Sequence, residues 1–182
     1  SLTGGGGPLS DNGALLLQYG TSGTSQTVTV DSGGAIVIQG GSSALKNVGG
    51  SGHGSRAALE SDGDSQTVTF TSGGAINLTG GTNGSRNFAR LSSINGSQTV
   101  SGASSIALQG GASGGVDGEG NFAQILAFAG SQSITVGAGG ISLTGGSGGA
   151  TDIDNFASFF QGGLAGTSQT VVVGGGGSIT LQ

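Results

Sequence analysis

Few side chains in this sequence can do chemistry, and they are scattered. The single histidine, His53, lies in the glycine-rich run GGSGHGSR with no carboxylate at a repeated position beside it, so it reads as a surface residue. Three acidic pairs have D-x-D/E spacing: Asp62 with Asp64, Asp117 with Glu119, and Asp152 with Asp154. Carboxylate and carbonyl oxygens at that spacing can bind calcium, but the pairs lack the G-G-x-G-x-D periodicity of calcium-binding solenoids. Cleaving a polysaccharide needs two carboxylates on one face, whereas the nine acids here are spread over turns and loops. GVDGEGN leads into no helix and so makes no phosphate cradle. The expectation is a chain with no catalytic residue, no metal site and no cofactor.

What the sequence does contain is repetition. Five copies of one phrase occur in 182 residues: SQTVTVDSGGAIVIQGG from Ser25, SQTVTFTSGGAINLTGG from Ser65, SQTVSGASSIALQGG from Ser97, SQSITVGAGGISLTGG from Ser131 and SQTVVVGGGGSITLQ from Ser168. Each is preceded by a third element: NGALLLQ, SRAALES, NFARLSS, NFAQILA or NFASFFQ. A unit that recurs in this way cannot bury its apolar face alone and must stack on its neighbours. Gln26, Gln66, Gln98, Gln132 and Gln169 stand 40, 32, 34 and 37 residues apart. From each glutamine to the apolar residue of the next run (Ile38, Leu78, Leu108, Leu143, Leu181) the distance is 12, 12, 10, 11 and 12. The slack lies in the connection from that run to the next Ala14-type alanine, which varies from 11 to 19 residues. Insertions are tolerated at the surface, so these connections are expected to protrude.

Apolar residues alternate within TVTV, AIVIQ and AINLT, the period of a strand with one buried face, and no segment keeps a helical stripe. Gly-Gly and Ser-Gly pairs end the runs and are expected to supply the positive φ angles of tight turns. The reading is an all-β chain: a single parallel β-helix of about five three-strand coils, with repeats at about 1–38, 39–78, 79–108, 109–143 and 144–182. Period two turns Val28, Val30 and Gln26 inward, with Thr27 and Thr29 outward. The five glutamines should then stack as an amide ladder, and Asn87, Asn121 and Asn155 as a second one. Phe88, Phe122 and Phe156 should point outward as a column, joined by Leu126, Phe128 and Phe160, and an exposed apolar column marks a lateral interface.

Composition fits a solenoid. There are 44 glycines, one proline and no cysteine, methionine or tryptophan, and charged residues make up 7%. Phase-locked alternation argues against a disordered glycine tract. Four basic residues and a net charge of −5 argue against nucleic acid and anionic membrane surfaces, and no apolar run is long enough to span a bilayer. The absence of methionine and of a signal peptide suggests a processed or excised segment.

The G-x-I-x-L-x-G-G phrase with its N-F-A and S-Q-T-V companions resembles the repeat region of filamentous haemagglutinin-type exoproteins, bacterial adhesins exported by two-partner secretion. The period is longer than that of many members. The resemblance implies a secreted right-handed β-helix at the cell surface or in the extracellular medium, working as a fibre or stalk in adhesion and biofilm. The chain opens with SLTGG and closes with SITLQ in the same strand phase, so Leu2 and Leu181 are equivalent. It is therefore expected to continue axially, into more of the same polypeptide or into identical chains stacked head to tail. The alternative function is ice binding through the outward hydroxyl array of Thr27, Thr29, Thr67, Thr69, Thr99, Ser101, Ser133 and Thr135, which Val172 interrupts in the last repeat.

Overall fold

The computed structural model describes residues 1–7, 12–20, 22–43, 54–112, 120–147 and 155–182. Among these residues every regular element is a strand. His53, Asp117, Glu119, Asp152 and Asp154 lie outside the described residues, as do large parts of the variable connections expected to protrude.

The strands are, in order, β1 (Leu2–Thr3), β2 (Gly6–Gly7), β3 (Ala14–Gln18), β4 (Ser25–Val30), β5 (Ala35–Gln39), β6 (Ser42–Ser43), β7 (Ala57–Ser61), β8 (Ser65–Phe70), β9 (Ala75–Thr79), β10 (Ala89–Ser93), β11 (Ser97–Gln109), β12 (Ala123–Ala127), β13 (Gln132–Thr144), β14 (Ala157–Gln161), β15 (Gln169–Val173) and β16 (Ile179–Leu181). All pairings are parallel and join equivalent strands of successive repeats. One five-stranded sheet runs β3-β7-β10-β12-β14. A nine-stranded sheet holds both the SQTV strands and the strands that follow them, and β2 pairs with β6. Parallel strands in sheets stacked repeat upon repeat are consistent with a β-solenoid.

The register is the one the repeat alignment implies. Gln26, Gln66, Gln98, Gln132 and Gln169 are consecutive Cα partners, and so are Leu2, Ile38, Leu78, Leu108, Leu143 and Leu181. Because register holds, the inward phase of every strand lands on one apolar column. The core is a single cluster containing Ile38, Leu59, Val68, Ile76, Leu78, Leu91, Val100, Ile106, Leu108, Ile125 and Ile134, all buried.

The two long strands, β11 and β13, explain why two faces merge into one sheet. Where the glutamine-to-leucine distance is 12, four residues such as Asp31–Gly34 form a turn between two separate strands. Where it is 10 or 11, as in β11 and β13, too little chain remains for that turn. The backbone passes the corner as a continuous strand instead, with register shifts around Ala103 and positive φ at Gly102 and Gly140.

The pairs that end the SQTV runs meet the expectation, with positive φ at Gly33, Gly73, Gly74, Gly175 and Gly176, whereas the pairs that end the strands after them work differently. None of Gly40, Gly41, Gly80, Gly81, Gly110, Gly111 and Gly146 has a positive φ. Their role is close approach: a Cβ on Gly81 would lie within 3.0 Å of the Gly41 carbonyl oxygen and of both Cβ and the carbonyl oxygen of Asn87. Gly41, Gly111 and Gly146 stand in the same relation to Ser55, Asn121 and Asn155. Positive φ falls elsewhere, at glycines such as Gly33 and Gly73 in the turns after the SQTV strands and at Ser32, Asn83 and Arg86.

Candidate functional site

The polar residues that the sequence places inside form two ladders of different construction. In the first, each glutamine donates to the one before it: Gln66 Nε2 to Gln26 Oε1 at 2.8 Å, Gln98 to Gln66 at 2.8 Å, Gln132 to Gln98 at 2.9 Å and Gln169 to Gln132 at 2.7 Å. The amide's other hydrogen goes to a main-chain oxygen of the five-stranded sheet, that of Leu59, Leu91 or Ile125 for the three central residues. Gln66, Gln98 and Gln132 are fully buried, and this double use satisfies an amide that would be costly to bury alone.

The asparagines do not stack amide on amide as expected. Asn87 Oδ1 accepts from the backbone N–H of Ser55, Asn121 Oδ1 from that of Asn87, and Asn155 Oδ1 from that of Asn121, each at 2.8 Å. The reason is the corner just before the third strand. There the asparagine's own carbonyl accepts from the glycine that ends the previous strand, such as Gly81, so its N–H faces the next repeat. A side-chain oxygen reaches that N–H before regular strand pairing begins at the following alanine. The side-chain nitrogens of Asn87 and Asn121 bond main-chain oxygens of the Thr82–Gly84 loop.

Ser55 holds the equivalent position one repeat earlier. Its Oγ is buried with no hydrogen-bond partner among the described residues. An asparagine there would put its Oδ1 where the other three put theirs, against the preceding repeat, and Gly41 already leaves the space. Ser55→Asn is expected to stabilise the fold by about 1 kcal/mol. A denaturation midpoint that stays the same or falls would contradict this account of the corner.

Phe88, Phe122 and Phe156 form a face-to-face stack with ring centroids 4.9 Å apart and interplanar angles of 4° and 1°. The spacing follows the distance between parallel strands. The column is less open than its outward phase suggests: Phe88 is 5% exposed, Phe122 is half-buried, and Phe156 and Phe160 are exposed. The Arg90 guanidinium carbon lies 4.8 Å from the Phe88 ring centroid, a cation–π contact. Arg90 also pairs with Glu60 at 3.4 Å, and Glu60 accepts from Ser92 Oγ. Burial pushes the Arg90 pKa below its ordinary value, an effect that Glu60 opposes. The outward residues Ala58, Ser92, Gln124 and Leu126 of this sheet are buried too, so β7, β10 and β12 are covered on both faces. AQILA, apolar in both phases, is the one sequence signal of that.

The acidic residues that are described take structural parts. Asp64 Oδ2 accepts from the Gly23 N–H at 2.6 Å, and the main-chain oxygen of Asp62 accepts from Asn95. Asp31 accepts from Thr71 Oγ1 and from the Ser32 N–H, which together hold its carboxyl below the usual range. Among the described residues, no three His, Cys, Asp or Glu side chains come together as a metal site, and no helix is long and apolar enough to cross a membrane.

The hydroxyl residues lie on the outward phase of β4, β8, β11, β13 and β15. Thr27, Thr67, Thr99, Ser133 and Thr170 are in one register, and Thr29, Thr69 and Ser101 in a second. A cavity of about 200 Å³ is lined by Leu2, Leu16, Val28, Ile36, Ile38 and Leu59, and Ile179 and Leu181 are exposed. Comparison with family models, curated proteins and solved structures yields no match. The geometry alone therefore supports the functional reading.

Proposed function

We propose that this chain is a length of parallel β-helix, about five three-strand coils, that serves as a structural segment of a secreted extracellular filament or adhesin. The observation that carries the reading is the set of unbroken axial ladders. Leucine/isoleucine, glutamine and phenylalanine columns each run through successive repeats in register, a construction that gives stiffness along one axis and needs no active site. No catalytic activity is assigned to it. Leu78 and Leu108 in the leucine column are 1% exposed. Further coils, from the same polypeptide or from identical chains, would extend the same columns along the axis. Phe128, Phe156 and Phe160, all exposed, are the residues of the aromatic column able to support sideways bundling.

The test is electron microscopy of the purified chain across a concentration series, with sedimentation in parallel. Rods that lengthen with concentration at constant width support axial stacking. Particles of fixed single-chain size at every concentration contradict stacking between separate chains.

A second reading, ice binding, rests on the in-register outward hydroxyl columns. A thermal-hysteresis assay separates the two: the filament reading expects no freezing-point depression beyond the colligative value.

A further inference from the structure

The two hydrogen bonds donated at the start of each third strand point the same way along the stack. Asn87 N–H goes to Asn121 Oδ1 and Ala89 N–H to the Phe122 carbonyl, both in the repeat that follows. One repeat on, Asn121 N–H goes to Asn155 Oδ1 and Ala123 N–H to the Phe156 carbonyl. One repeat back, Ser55 N–H goes to Asn87 Oδ1 and Ala57 N–H to the Phe88 carbonyl. Each asparagine thus spends its side-chain oxygen on the repeat before its own. Its main-chain carbonyl accepts, within its own repeat, from the glycine that ends the preceding strand.

We propose that these asparagines are one-way clasps: each closes the corner of the preceding repeat, so losing one loosens the fold on the N-terminal side and not on the C-terminal side. This inference does not depend on the filament reading, since it concerns contacts inside one chain. Asn87, Asn121 and Asn155 are positioning residues in this sense. Ser55, whose Oγ is unused among the described residues, stands where Asn87, Asn121 and Asn155 stand in the three repeats that follow.

Amide hydrogen exchange resolved by residue tests the direction. In Asn121→Ala, the backbone amide of Asn87 should lose about tenfold in protection, the size of one buried hydrogen bond, while the amide of Ala123, which donates to the Phe156 carbonyl of the following repeat, keeps its native rate. If Asn121→Ala does not fold, Asn155→Ala near the more exposed end decides, with Asn121 as the amide that opens. Equal loss on both sides, loss only on the C-terminal side, or no change at the preceding amide would each overturn the one-way clasp.

Discussion

Gly81→Ala is expected to be among the most damaging single-methyl changes in this chain, costing about 3 kcal/mol through overpacking against backbone that cannot move aside. The added Cβ would meet the Gly41 carbonyl oxygen in the repeat before and the Cβ and carbonyl oxygen of Asn87 at the next corner, all within 3.0 Å. Relief would require Gly81 to move away from both Gly41 and Asn87, and that breaks the Thr82 N–H bond to the Gly41 carbonyl and the Gly81 N–H bond to the Asn87 carbonyl. Gly33→Ala is the control. Gly33 has φ of 71° but nothing within 4 Å of the added carbon, so only backbone strain is at stake, about 1 kcal/mol. Denaturant midpoints of the two variants decide the matter. A larger loss for Gly33→Ala than for Gly81→Ala would mean that close approach is not what the paired glycines provide.

The second large effect is expected at the centre of the glutamine ladder. Gln98 is fully buried; it donates to Gln66 Oε1 and to the Leu91 carbonyl, and it accepts from Gln132 Nε2. Gln98→Leu keeps roughly the same volume and removes all three bonds, leaving buried groups on both neighbours short of a partner. The expected loss is about 2 to 3 kcal/mol. Gln169→Leu, at an exposed position with one ladder bond to Gln132, should cost about 1 kcal/mol or less. Thermal denaturation of both variants measures the difference. Equal shifts in Tm would show that the ladder contributes no more in the core than at its end.

Much of this fold is legible in the sequence because two periods coincide. Alternation of Val28 and Val30 about Thr29 reports the inward phase, and recurrence of Gln26 at Gln66, Gln98, Gln132 and Gln169 reports the register. A polar residue that keeps the inward phase must meet its own kind. The paired glycines are harder to read, because positive φ and close approach both select glycine and differ only in three dimensions. The asparagines are misread for a related reason: phase places Asn121 beside Asn87, but only the corner's backbone orientation shows that an N–H lies within reach. Burial on the outward side of β7, β10 and β12 is faintly visible in AQILA and invisible in ARLSS, where Arg90 and Ser92 look like solvent-facing residues. The contact of Arg90 with Phe88 follows from period two, which puts residues two apart on one side of the chain.

The stacking of repeat on repeat, with Thr99 beside Ser133, is the claim on which the rest depends. The chain has no cysteine, so a pair introduced at these two exposed outward positions reports the register directly. Parallel neighbours are about 4.8 Å apart, inside the Cα separation of about 4.4 to 6.8 Å that a disulfide spans. The account predicts that Thr99→Cys with Ser133→Cys forms an intramolecular disulfide on mild oxidation, whereas Thr99→Cys with Thr135→Cys, displaced along the strand, stays reduced. Efficient bridging of the displaced pair, or none by the in-register pair in folded protein, would contradict it.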